Sequence, residues 1–404
     1  MFSSKPLVLI FITLLIDVIG FGIIIPITPD LLAEIGKYTV SEASSIGAWL
    51  IFAFAFSQFI FSPILGSLSD KYGRRPVLLI SLIGLGIDFI FMALSHHIWL
   101  LVIGRIIAGI CGASFTTASS YIADISSPDK RAQNFGLIGV AFGVGFILGP
   151  ILGGLVSEFN LRAPFWVAAS LSLINACICY FYLPESLSKE NRREFDIKRA
   201  NPVGSLIHLS QYPKVLKMMI PLFLLHLASH AIQSNWSYYV KYKFNWDKQM
   251  IGYSLGWVGV CVSIVQGGLI GYIKTKFGQR KTIFIGFLFY GIGMLLFALA
   301  NSTLLMFVFT IVYTLGGLSG PALQGELSNA VPNNAQGELS GAMTSLMSLT
   351  AILGPLMMNN LFAAFTDHNS SIDLPEAPML LGAFLIFLAT IITFKTYKTS
   401  LNSN

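Results

Sequence analysis

The chain has 404 residues, of which 54% are apolar and 11% charged, with a formal net charge of +6. A soluble domain covers its surface with about 25% charged residues. This composition therefore excludes a soluble enzyme or a nucleic-acid binder, and the mean hydropathy of +0.73 points to a lipid bilayer as solvent. One helical span takes roughly 20 apolar residues. The apolar runs lack the strict alternation of a membrane barrel, so the length predicts an all-α membrane protein of about twelve spans.

The spans fall at 6–28, 44–66, 76–95, 98–122, 132–155 and 164–183, then at 217–240, 250–273, 281–300, 303–325, 337–362 and 377–398. Span one starts near Lys5, carries Asp17 at its middle and lacks a cleavage-site pattern, so it reads as a retained span. A charge near the bilayer centre costs roughly 2.5–3.5 kcal/mol on insertion scales, so Asp17, Asp88 and Arg105 need an explanation. Asp88 in span three and Arg105 in span four lie the same number of residues from the outer end of their spans, hence at equal depth, and are expected to pair. Pairing alone would already offset their desolvation. Asp17 has no expected partner at its depth. A lone carboxylate in oil is costly while ionised, which suits Asp17 first, and Asp88 second, to take up and release a proton.

The one long polar connection, 184–216, holds both charge signs and is interrupted by Pro184, Pro202 and Pro213. It separates an N-terminal six-helix half, 1–183, from a C-terminal half, 217–404. With the N-terminus in the cytoplasm, nineteen of the 25 Lys and Arg residues fall in inner segments and five (Lys37, Arg162, Lys241, Lys243, Lys248) in outer ones. That bias predicts a multi-pass protein of the cell (inner) membrane with both termini cytoplasmic. The four cysteines, Cys111, Cys177, Cys179 and Cys261, lie in apolar segments and read as inert buried thiols; no metal site is expected.

The halves repeat in parallel. A shift of 205 residues lays Gly66, Gly73 and Arg75 on Gly271, Gly278 and Arg280, and Gly112, Gly136, Gly149 and Pro150 on Gly317, Gly341, Gly354 and Pro355. Substrate is then expected between the halves, near mid-bilayer.

Between spans two and three the sequence runs Gly66-Ser-Leu-Ser-Asp70-Lys-Tyr-Gly73-Arg74-Arg75. This resembles the signature loop of the major facilitator superfamily, G-x-L-x-D-[RK]-x-G-R-[RK], at every fixed position. The resemblance implies a cytoplasmic latch made by Gly66, Asp70, Gly73, Arg74 and Arg75 with Arg131 and the start of span eleven. Asp70 would accept from a helix N-terminus and pair with basic neighbours. The second-half copy has Thr275 in place of the aspartate and is expected to latch more weakly. Span five holds Gly145-Phe-Ile-Leu-Gly149-Pro150-Ile-Leu-Gly153-Gly154, similar to the antiporter motif of drug exporters in that superfamily. There the glycines permit close packing and Pro150 a bend. With Asp17-Val-Ile-Gly20-Phe-Gly22 in span one and Gly104-Arg105 in span four, the chain is similar to the tetracycline-resistance branch over nearly its whole length. That branch has an acid in span nine and a histidine in span eight. Tyr290 and Val262 align there, so the familiar tetracycline route lacks those groups here.

The expectation is a secondary transporter exporting a hydrophobic or amphipathic small molecule by alternating access. It would be driven by the proton gradient, without a cofactor, and act as a monomer whose partners are substrate, protons and lipid. Proton-linked movement of one dedicated metabolite, vitamin or siderophore, in either direction, is the alternative. Candidate substrate contacts are Phe21, Phe54, Gln58, Phe115, Thr116, Gln233, Asn235, Trp257 and Gln324, with His226 and His230 one helical turn apart on span seven.

Overall fold

The structure is a computed structural model and describes residues 5–112, 114–192, 213–331, 336–368 and 370–402. All regular structure among them is helical. Eleven stretches are long and apolar enough to cross a bilayer. The longest, Lys248–Leu299, contains a break at Gly278 and makes two crossings, so there are twelve spans.

Span one is Lys5–Ile24. It stops at the Pro26 and Pro29 pair, where Thr28 Oγ1 donates to the Ile24 carbonyl at 2.8 Å. A short helix, Thr28–Gly36, follows and ends on Lys37 in the left-handed region at φ +55°. Span two, Val40–Tyr72, is longer than its apolar run. Hydropathy marks where oil ends, whereas the helix continues through the polar signature residues until Gly73, whose φ of +110° only glycine tolerates easily. Spans three to six are Arg74–Leu94, Ile98–Ile125 with a break at Gly112, Pro128–Val156 and Ala163–Tyr182. The second half runs Pro213–Gln233, a short Trp236–Phe244 helix, then Lys248–Ile264 continued by a π-helical turn at Val265–Leu269, and Ile270–Leu299 across the Gly278 break. Span ten, Thr303–Leu315, passes through a 3-10 turn at Gly316–Leu318 into Ser319–Asn329. Spans eleven and twelve are Gln336–Thr366 and Ala377–Asn402. Among the described residues the two positive-φ glycines, Gly73 and Gly278, are the same position of the 205-residue repeat.

Two compact units form. One holds Met1–Thr39, Leu50–Asn201 and Trp246–Gly256; the other holds Val40–Trp49, Pro202–Asn245 and Trp257–Asn404. The beginnings of spans two and eight thus each pack away from the rest of their own six-helix half. Residues 193–212, most of the expected linker, lie outside the described residues.

The first unit closes at one end over Leu7, Ile10, Leu14, Leu78, Leu82, Tyr121, Ile122 and Cys179. Nearer mid-span, glycines join spans one and five. A Cβ on Gly149 would stand 2.7 Å from the Ile19 carbonyl oxygen and 2.8 Å from Gly22 Cα, and one on Gly153 would stand 2.5 Å from the Ile23 oxygen. Gly145 packs on Val18, while Gly154 meets the backbone of Lys248 and Gln249. The seam is backbone on backbone, so a methyl group has no side chain to push aside. In the second unit, serines of the Val40–Trp49 segment bond span eleven. Ser41 Oγ donates to the Thr366 carbonyl at 2.8 Å, and Ser45 Oγ to Asn360 Oδ1 at 2.7 Å. Cys177 is exposed, unlike the expected buried thiol; span six turns that face outward.

Candidate functional site

The intramembrane charges occupy one unit. Arg105 Nη2 and Nε both donate to the Asp88 carboxylate, the latter at 3.2 Å, and Nη2 also meets Met92 Sδ at 3.3 Å. Asp88 is fully buried. The guanidinium lies 5.8 Å from the Phe54 ring centre, which in turn meets the Phe21 ring edge-on at 5.4 Å. A Cβ on Gly104 would fall 2.8 Å from Asp88 Oδ1, so the glycine before the arginine makes room for the acid. The pair forms at the common depth read from the sequence.

Asp17 differs. It is buried mid-span, and neither carboxylate oxygen has a hydrogen-bond partner among the described residues. Span one puts it one turn before Phe21 on the helix whose next residues, Val18 and Ile19, pack on the glycines of span five.

In the signature segment Asp70 pairs with a basic neighbour, Arg74. Asp70 Oδ1 accepts from Arg74 Nη1 at 2.5 Å within its own turn. Arg74 also reaches Ser69 Oγ at 2.7 Å and, through Nε, Asp124 Oδ2 at 3.1 Å. The N-terminus of span three is capped by Glu185. The backbone N–H groups of Arg74 and Arg75 donate to its two oxygens at 2.8 and 3.2 Å, and that of Leu187 at 3.1 Å. A Cβ on Gly73 would lie 2.3 Å from Glu185 Oε2. Ser186 Oγ donates to Asp124 at 2.9 Å, and Tyr121 OH to the Pro184 carbonyl at 2.8 Å. Gly66 stands in open space. The side chains of Arg131 and of residues 336–338 at the start of span eleven lie outside what the structure describes. Asp124, Glu185 and Ser186 escaped the sequence reading because the partners of Arg74 are distant in the chain; the signal was Pro-Glu-Ser at the end of span six. At the second copy, Gln279 Nε2 bonds the Ala322 carbonyl and Arg280 stacks 4.6 Å from the Tyr397 ring centre.

The candidate substrate contacts divide between the units. In the first, Gln58 Nε2 donates to the Gly112 carbonyl at 3.1 Å, and Phe115 meets Phe142 edge-on at 5.2 Å; Thr116 lies on the following turn of span four. In the second, Trp257 Nε1 donates to the Phe307 carbonyl at 3.0 Å. Asn235 is buried and accepts from Ser44 Oγ at 3.2 Å, which makes it part of the serine-bonded end rather than an open contact. His230 is pressed on Gly354, whose Cβ would stand 2.2 Å from its Cδ2. His226 Nε2 is buried without a partner among the described residues. Gln233 is exposed and Gln324 half-buried. Tyr290, at the place of the branch's acid, bonds Tyr313 hydroxyl to hydroxyl at 3.0 Å. Val262, at the place of its histidine, is half-buried in span eight.

Twelve helical spans carrying a 205-residue sequence repeat, with ionisable groups held inside, have the pattern of a secondary transporter. The family model of the Major Facilitator Superfamily matches residues 10–355 and again 218–401. The chain is 38% identical over 362 residues to the class C tetracycline resistance protein of Escherichia coli, covering 90% of this chain and 91% of that protein. It is 29% identical over 361 residues to multidrug resistance protein 2 of Bacillus subtilis, covering 87% and 88%. A bacterial homologue of the human lysosomal transporter Spinster superposes with a TM-score of 0.81 at 14% identity, covering 99% of both chains. The chain belongs to the major facilitator superfamily, and it is a membrane transporter protein by family rather than an enzyme.

Proposed function

We propose that this chain exports hydrophobic or amphipathic small molecules, drugs among them, in exchange for protons. The observation that carries the reading is Asp17: a buried mid-span carboxylate with no hydrogen-bond partner among the described residues, in a chain similar over nine-tenths of its length to a tetracycline resistance protein. A free carboxylate in low dielectric is inexpensive only when protonated or wet. Exposure to one side and then the other makes it load and release a proton. Asp88 has its oxygens engaged by Arg105, so we assign that pair to holding spans three and four together and the proton to Asp17. The transporter works as a monomer in the cell (inner) membrane with cytoplasmic termini and no cofactor beyond the proton gradient. Similarity to tetracycline and multidrug resistance proteins supports drugs as the substrate class.

Inside-out vesicles with an imposed proton gradient test the reading. Tetracycline, a fluoroquinolone or a cationic dye accumulates when the lumen is acid, an uncoupler collapses the accumulation, and Asp17→Asn abolishes it. Import driven by inward proton flow overturns the export reading and leaves a dedicated uptake carrier.

A further inference from the structure

In the second unit, uncharged polar side chains join the beginning of span two to the ends of spans seven and eleven. Ser44, Asn235 and Asn359 are fully buried there. Asn359 is the hub. Its Nδ2 donates to the carbonyls of Ser44 and Ser234, both at 3.3 Å, and its Oδ1 accepts from Ser234 Oγ at 2.9 Å. Ser44 Oγ donates to the Asn359 carbonyl at 3.3 Å and to Asn235 Oδ1 at 3.2 Å. Asn235 Nδ2 is buried without a partner among the described residues. A partly satisfied buried network gains partners when water enters, so this joint is poised to open.

The 205-residue repeat supplies the comparison. It lays Ser44 on Gln249, Gly47 on Gly252, and Asn359 on Gly154. In the first unit the corresponding joint is main chain on main chain. A Cβ on Gly154 would stand 3.1 Å from Gln249 Cα, and one on Gly252 would stand 2.4 Å from the Pro150 oxygen. The same joint is made once by close packing and once by hydrogen bonds. Only the hydrogen-bonded copy can exchange its partners for water.

Two histidines belong to that copy. His226, His230 and Ser234 recur every fourth residue and share one face of span seven. The His230 carbonyl accepts from the N–H and the Oγ of Ser234, at 3.1 and 2.7 Å, so its turn holds the serine that bonds Asn359. The His230 ring is pressed on Gly354 of span eleven, where a Cβ would stand 2.2 Å from its Cδ2. Nε2 of His226 is buried without a partner among the described residues. No acid faces these rings. Residues 339–366 of span eleven, 377–394 of span twelve and 319–325 of span ten hold no ionisable side chain. Glu326, Glu338 and Lys395 fall outside those stretches. The short Trp236–Phe244 helix brings phenols and lysines, and its Lys243 is paired with Glu376. A charge on either ring is therefore costly while the joint is dry and tolerated once it is wet. Two charged rings one turn apart repel, so the pair holds one proton.

We propose that His226 and His230 form a second proton-binding site, and that loading it draws water between spans seven and eleven and releases the Ser44–Asn359–Ser234 joint. Hydration on opening stabilises the charged ring, so by linkage acid favours the open joint. The inference rests on the proton-exchange reading and adds to it a second titrating group and the joint that it works. With cytoplasmic termini, the joint stands at the outer side, where the exchanged proton enters.

Nitroxide labels on Glu42→Cys and Asp367→Cys, both exposed beside the joint, report its width in the full-length transporter in lipid nanodiscs, with the protein lacking these two cysteines as the control for Cys177. No drug is added. The labels are expected to be close at about pH 8, and a separated population is expected to grow at least about tenfold as the pH falls to about 5. His226→Gln with His230→Gln holds them close at both pH values, and His230→Arg parts them already at the higher one. A merely structural histidine would make glutamine and arginine disturb the joint alike, and that result overturns the proposal. Asp17→Asn still responds to acid, and Asn359→Leu opens the joint without it. A separation indifferent to pH, a response that survives the double glutamine variant, or a response lost in Asp17→Asn overturns the proposal. Failure of vesicles to accumulate drug overturns the export reading alone, because this measurement involves no substrate.

Discussion

At the residue scale, two acids in neighbouring spans face opposite circumstances. Asp88 spends both oxygens on Arg105, whereas Asp17 spends neither. Removing one member of a buried ion pair strands the other charge and costs about 3–5 kcal/mol. Arg105→Leu is therefore expected to lower the melting temperature and the level of inserted protein, and Arg105→Leu with Asp88→Leu to recover much of both, by thermal unfolding in detergent. Asp17→Asn removes no contact, so its melting temperature stays within a few degrees of wild type. Proton-driven export falls to background and loses its dependence on external pH, while energy-independent exchange of substrate across the vesicle membrane persists. Loss of that exchange as well would make Asp17 a binding residue rather than a proton carrier.

At the element scale, packing separates glycines that look alike in sequence. Gly149 meets the main chain of span one on all sides, while Gly139 in the same helix has open space around its would-be Cβ. Overpacking a tight seam costs about 1–3 kcal/mol, but alanine in an open helix gains up to about 1 kcal/mol over glycine. Gly149→Ala is expected to destabilise and slow export, and Gly139→Ala to leave both unchanged or improve stability, by the same melt and flux assays. Glu185 belongs to this scale too, since it accepts two backbone N–H bonds at the start of span three and a third from Leu187. Glu185→Ala leaves those donors unmet and is expected to cost about 1–3 kcal/mol, with faster proteolysis where spans two and three join.

At the scale of the whole molecule, a proton crossing about 100 mV releases about 2.3 kcal/mol, which sets a ceiling of about fiftyfold on accumulation per proton moved. A drug gradient in vesicles that stays below this ceiling and scales with the imposed potential fits one carrier carboxylate. A gradient well above it requires a second proton, for which His226, buried without a partner among the described residues, is a candidate.

The oil-soluble composition and the spacing of the apolar runs are written locally, residue by residue, and so the twelve spans were legible before any coordinates. Equal depth also foretold the Asp88–Arg105 pair, because helical rise converts sequence position into height. What the sequence could not determine is which side of a helix faces which neighbour. That choice made Glu185, from beyond span six, the cap of span three and put the start of span two in the second unit. It also set Gln58 on the Gly112 carbonyl. In an apolar chain nearly every face is greasy enough for any neighbour. Only the tertiary structure, through close backbone contacts at glycine and the pairing of buried polar groups, selects one arrangement.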